Sequence, residues 1–134
     1  MFRDPIRDKQ FKEDGFVVID QFLVPEEIQL LAEFYDSNQL PGASGFHATS
    51  HSRDLHYKRK VHEMITSVVG PKTKELILEH RSVTSSYTVK EIGTDSFFDY
   101  HLDWSMVDEN KYSSLTLWSP LVYLRESSAK PTST

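Results

Sequence analysis

Residues 81–89 read Arg-Ser-Val-Thr-Ser-Ser-Tyr-Thr-Val, and at this point the hydrophobic period of the chain changes. Val83, Ser85, Tyr87 and Val89 alternate with Ser82, Thr84, Ser86 and Thr88. Side chains at i and i+2 share one face of a strand, so the alternation predicts a strand with two distinct faces. Phe97–Tyr100 and Ser114–Leu124 are expected to be two further strands. Phe16–Ile19, short and rich in β-branched residues, is expected to be an earlier one.

Upstream of Arg81 the spacing is helical. A polar helix is expected from near Pro5 to Gly15, with Gly15 at the position past the helix end where a left-handed conformation is favoured. Pro25 suits a first helical turn, and Glu26 and Glu27 suit the positive end of the helix dipole. Ile28, Leu31, Ala32 and Tyr35 then fall on one face. Val24 stands where a capping Ser or Asp is usual. Leu40–Ser50, broken by Pro41, Gly42 and Gly45, is expected as a loop. Ser52 would cap the next helix, with Val61, Met64, Ile65 and Val68 as its buried stripe and Gly70-Pro71 as its end. A short helix over Thr73–Glu79 follows. Helices first and strands second predict an α+β fold.

The composition excludes several functions. The formal net charge is −5, which argues against a nucleic-acid surface. No run of about 18 apolar residues exists, which argues against a membrane span. The charged stretch Met1–Asp14 lacks the apolar core of a signal peptide, so the expected compartment is the cytoplasm. With no cysteine there is no disulfide or thiolate site, and any metal must be held by His, Asp or Glu.

The triplet His101-Leu102-Asp103 is the chemically informative one. In an extended segment His101 and Asp103 project to one side and can meet one ion. An imidazole and a carboxylate are two thirds of the facial triad of non-haem Fe(II) oxygenases. Phe97, Phe98, Tyr100 and Trp104 surround the triplet with aromatic bulk, which describes a dry site and a β-core equally well. Asp99 offers a competing carboxylate on the other side of His101, and spacing alone leaves the two open.

Two stretches resemble the phytanoyl-CoA dioxygenase-like family of Fe(II)/2-oxoglutarate-dependent oxygenases. Residues 11–27 hold Asp-Gly-Phe, a short apolar run, Phe-Leu, and a Pro-Glu-Glu helix start. Tyr100-His-Leu-Asp-Trp, followed by Ser114-Leu-Thr-Leu-Trp-Ser-Pro-Leu-Val, is similar to the family's metal motif and its next strand. With Ser86-Tyr-Thr-Val-Lys between them, the resemblance covers most of residues 11–122. It implies N-terminal helices packed on an incomplete double-stranded β-helix of jelly-roll or cupin type, over a domain of residues 1–126. Residues 127–134, a Ser/Thr/Pro/Lys tail, are expected to be disordered.

The resemblance also implies a site. His101 and Asp103 correspond to iron ligands, Trp118 to an aromatic of the 2-oxoglutarate pocket, and Ser86 and Lys90 to further co-substrate contacts. The implied cofactors are Fe(II) and 2-oxoglutarate, with ascorbate as reductant. The implied reaction is hydroxylation of a small organic substrate. The family's distal histidine, and the arginine that pairs with the 2-oxoglutarate carboxylate, have no counterpart after Trp118, and Arg125 stands too close to serve. The expectation is therefore a truncated relative. The alternative is a non-catalytic product or interaction module that self-associates through exposed strand edges.

Overall fold

A computed structural model of the chain describes residues 1–42, 45–90 and 107–121. It begins with helix α1, Pro5–Asp14. The Asp4 side chain caps it by accepting from the Ile6 N–H at 2.9 Å, and Pro5 opens its first turn. Gly15 ends it at φ 79° and donates its N–H to the Phe11 carbonyl at 2.9 Å, as the Asp-Gly-Phe run predicts. α1 buries none of its residues. It is held instead at its start, where Asp8 meets Lys12 at 2.6 Å and the Met1 ammonium at 2.7 Å, and accepts from the Phe2 N–H at 3.0 Å.

Those three partners, Lys12 foremost, hold the Asp8 carboxyl well below the usual carboxylate range. A depressed pKa contributes stability above the ordinary aspartate value of about 3.9 and loses it as the pH falls through the folded value. Asp8→Asn is therefore expected to lower the melting temperature at pH 7. The gap from wild type should close as the pH falls below about 4, and added salt should narrow it because water and ions screen this site. Parallel thermal melts followed by circular dichroism check this. A pH-independent gap would assign the effect to lost packing.

Helix α2, Pro25–Ser37, has the expected Pro-Glu-Glu start. Valine has no side-chain oxygen with which to cap, so Glu27 reaches back and accepts from the Val24 N–H at 2.9 Å. That bond, and then Lys72 at 3.0 Å, lower the Glu27 pKa. The stripe predicted on α2 faces the core: Leu31 and Tyr35 are buried, and Ile28 and Ala32 are half-buried.

The expected loop over Leu40–Ser50 contains structure. Strand β1, Phe46–Ala48, runs into a 3-10 turn at Thr49–His51. Helix α3, Leu55–Leu76, follows. Its cap is Asp54, which accepts from the His56 and Tyr57 N–H groups at 2.8 and 3.1 Å. Ser52 acts one step earlier, its hydroxyl accepting from the Asp54 N–H. Val61 and Val68 are buried, and Met64 and Ile65 pack against them half-buried. The helix does not stop at Gly70-Pro71; it continues to Leu76 and absorbs most of the separate helix expected over Thr73–Glu79. Contacts with the N-terminus hold this last turn. Arg3 N–H donates to the Leu76 carbonyl at 2.8 Å, Leu78 N–H to the Met1 carbonyl at 2.9 Å, and Phe2 bridges to Ile77.

The expected incomplete double-stranded β-helix is absent from the described residues. They hold three helices and one two-stranded antiparallel sheet, in which strand β2, Thr88–Lys90, pairs with β1 in the register Phe46–Lys90, His47–Val89 and Ala48–Thr88. The alternation over residues 81–89 survives only in part. Tyr87 is buried and Val89 half-buried, while Ser86 and Thr88 face out. Val83, however, is 54% exposed. A strand needs a ladder partner and a face to bury, and only β1 supplies one here. The same reason removes the strands expected at Phe16–Ile19, where Phe16 and Val18 are exposed, and within residues 114–121, where Leu115 and Leu117 are exposed. Phe97–Tyr100 and the tail 127–134 lie outside the described residues.

The core is thus a helical seam closed by a short sheet. Leu23, Leu31, Tyr35, Val61, Val68 and Tyr87 form it, joining α2, α3 and the approach to β2. Among the described residues no helix is long and apolar enough to cross a membrane.

Candidate functional site

The residues around β1 and β2 carry most of the polar groups of the core. Thr49 is 2% exposed and clamps the chain before β2: its N–H donates to the Tyr87 carbonyl at 2.9 Å, and its hydroxyl accepts from the Tyr87 N–H at 3.0 Å. The Tyr87 hydroxyl donates to the Leu31 carbonyl in α2 at 2.9 Å. Burial, then the neighbouring Tyr57, push the Tyr87 phenol up to about 12. Tyr57 is raised in the same direction, by burial first and then by Tyr35.

Tyr35 and His47 add a second polar link. The Tyr35 hydroxyl lies 2.9 Å from His47 Nε2, with the Tyr35 ring 5.2 Å from that of Tyr87. Strand β1 turns His47 toward α2, where the phenol of Tyr35 needs a polar partner. His47 Nδ1 is buried with no hydrogen-bond partner. This phenol–imidazole pair could pass a proton, but it lines neither of the two cavities described below, and its role is to hold β1 on α2. A signal for it did exist: Tyr35 on the buried stripe of α2 implied a polar partner nearby. His51, four residues on, is exposed in the 3-10 turn and does not join it.

Those residues singled out from the sequence that the structure describes are exposed. Ser86 and Lys90 share the outward face on either side of Thr88, and both are exposed. Lys90 Nζ sits 6.0 Å from the centre of the Phe46 ring, its partner across the ladder. Trp118 is 69% exposed in an irregular stretch. That stretch follows a turn in which the Asp108 carbonyl accepts from the Lys111 and Tyr112 N–H groups. His101 and Asp103 lie outside the described residues. Among the described residues no three His, Asp or Glu side chains come together as a metal site.

No family model, no curated protein and no solved structure matches this chain. The functional reading therefore rests on residues and geometry.

Two cavities open on the helical side. A smaller one of about 220 Å³ is lined by residues that include Arg7, Asp20, Lys72 and Glu75, so its charges are mixed, and Lys72 is already paired with Glu27. A larger one of about 460 Å³ lies between α3, the 3-10 turn and the segment before β2. It is lined by Ser50, Lys58, Arg59, His62, Val83 and Thr84.

Proposed function

We propose that the chain is a relative of the non-haem Fe(II)/2-oxoglutarate oxygenases in which His101 and Asp103 hold the metal. The observation that carries this is the order of motifs in the sequence: Asp14-Gly-Phe, Pro25-Glu-Glu, then Tyr100-His-Leu-Asp-Trp. Two features of the folded chain support it. Gly15 adopts the left-handed conformation that ends α1, and Pro25-Glu26-Glu27 opens α2, so both N-terminal motifs have the local structure they specify. The reading concerns the metal ligands and the co-substrate contacts, and not the β-helix.

The donor chemistry fits ferrous iron, since one imidazole and one carboxylate are two members of the facial triad. Bound iron would supply the oxidation of a small organic substrate coupled to 2-oxoglutarate. The chain's own groups would position the partners: His101 and Asp103 hold the ion, while Ser86, Lys90 and Trp118 offer a hydroxyl, a cation and an aromatic face to the co-substrate. Two protein ligands hold an ion loosely, because the number and orientation of ligands set affinity.

The expected result is weak, single-site binding of Mn(II) under anaerobic conditions, reduced at least about tenfold by His101→Ala or Asp103→Ala. Asp99→Ala should leave it unchanged. Equal affinity in wild type and His101→Ala would sink the assignment. The 134 residues alone should form no succinate from 2-oxoglutarate with Fe(II), O₂ and ascorbate. Turnover would mean that these residues hold a third ligand and a carboxylate partner at positions other than those the family uses.

A further inference from the structure

The larger cavity is independent of the metal motif, and we propose that it is a binding site for a small oxyanion of the phosphate class. Lys58, Arg59 and His62 fall at i, i+1 and i+4 of α3, beside the stripe that Val61 and Val68 bury in the core. This spacing gathers two cations and an imidazole at one cavity wall. The opposite walls supply the hydroxyls of Ser50 and Thr84, with Val83 as an apolar edge.

Three properties point to an anion. First, no carboxylate among the described residues lies within ion-pair distance of Lys58 or Arg59, although the chain as a whole carries a net charge of −5. In a chain with more acids than bases, two neighbouring cations with no carboxylate partner among the described residues make a local positive potential that attracts anions. Second, His62 stands three residues from Arg59 and four from Lys58 on α3, so its ring adds a polar edge to the same wall. Third, the donor set suits tetrahedral oxygen. A guanidinium offers a two-pronged fork to a phosphate, a lysine adds a point charge, and hydroxyls donate to the remaining oxygens. At about 460 Å³ the cavity is within the size range of small-molecule sites, which run from about 300 to 1,000 Å³.

Inorganic phosphate, titrated into the ¹⁵N-labelled 134-residue chain at constant ionic strength, tests this. Saturable shifts are expected at the amides of Ser50, Lys58, Arg59, His62 and Thr84. The Lys58→Gln/Arg59→Gln double variant is expected to bind at least tenfold more weakly with an unchanged melting temperature, since neither side chain is in the core. His101→Ala should bind phosphate like wild type, which separates this site from the proposed metal site. Glycerol 3-phosphate gives the second arm: tighter binding than inorganic phosphate identifies an ester as the occupant, and tighter binding of inorganic phosphate identifies the free ion, and either result supports the site. Shifts that fail to saturate, that sodium chloride reproduces, or that persist undiminished in the double variant would overturn it.

Discussion

Replacing Tyr87 with alanine is expected to destabilise the chain by about 3–5 kcal/mol, the range for truncating a large buried aromatic. Tyr87 is 7% exposed and lies where three parts of the fold meet. Its ring packs 5.2 Å from Tyr35 and 6.4 Å from Phe34, both on α2. Its backbone is held on both sides by Thr49. Its hydroxyl reaches the Leu31 carbonyl. Alanine would remove the ring and leave a cavity between α2 and the sheet. Tyr87→Phe keeps the ring and deletes only the hydrogen bond, so it should destabilise by about 1 kcal/mol. Urea denaturation of the two variants separates the contributions. An alanine variant within about 1 kcal/mol of wild type would mean that Tyr87 is not a core residue.

The same residue has a signature in alkali. Its folded pKa is raised above the ordinary tyrosine value of about 10. A group raised in this way contributes its full stability below the unfolded pKa and loses it as the pH climbs through the folded value near 12. Wild type should therefore lose stability between about pH 10 and pH 12, and Tyr87→Phe should lose less over that window. Ultraviolet absorbance of the phenolates, followed with the melting temperature, reads both.

Helices α1 and α2 were legible in the sequence because their signals are local, while α3 runs past its expected stop at Gly70-Pro71. Pro5 begins α1, Gly15 ends it, and Pro25 with Glu27 begins α2. Each depends on neighbours within four residues. The strand half was misread because a strand is decided by a partner elsewhere in the chain. Residues 83–89 alternate as a strand should, but only the part that finds β1 becomes one. The stretch that pairs with it, Phe46–Ala48, is three residues long and flanked by Gly45, so nothing periodic marked it. The double-stranded β-helix came from the family resemblance, and the strand expected at Phe16–Ile19 leaves Phe16 and Val18 exposed.

The candidate site divides differently, since its metal ligands His101 and Asp103 lie outside the described residues. Spacing alone left Asp99 and Asp103 open as partners of His101, and the resemblance chose Asp103, while the exposure of Ser86, Lys90 and Trp118 is a tertiary fact. The contact of His47 with Tyr35, twelve residues earlier, depends on how β1 sits against α2, which no local pattern marks. The cation pair Lys58-Arg59 reads as a solvated helix face until the 3-10 turn and residues 83–84 are seen to border the same open concavity.

Pro71 gives the largest expected gain in stability. Its dipeptide, Gly70-Pro71, reads as a helix stop, yet α3 runs through it to Leu76. A proline inside a helix lacks the N–H that would bond the carbonyl four residues back, and its ring crowds that carbonyl. Hydroxyls near the interruption bond to carbonyls of preceding residues: Ser67 donates to the Met64 carbonyl at 2.7 Å, Thr73 to the Gly70 carbonyl at 2.9 Å, and Thr66 to the His62 carbonyl. What keeps the last turn helical is tertiary. Arg3 Nε donates to the Lys74 carbonyl at 2.9 Å, Lys72 pairs with Glu27, and Phe2 bridges to Ile77. If those contacts hold the turn against the proline, removing the proline should release the opposing term. Pro71→Ala restores an amide for the Ser67 carbonyl at an exposed position, so no core packing changes. The intrinsic helix penalty of proline is about 3 kcal/mol relative to alanine. Freeing the unfolded chain gives back up to about 1 kcal/mol of that. A net stabilisation of about 2 kcal/mol follows, read as a higher urea midpoint with an unchanged slope. Gly70→Ala, whose added Cβ would meet nothing within 4 Å, should contribute up to about 1 kcal/mol more. A Pro71→Ala variant no more stable than wild type would place the end of α3 at Gly70, where the sequence alone puts it. The turn from Lys72 to Leu76 would then be held only by its contacts with the N-terminus.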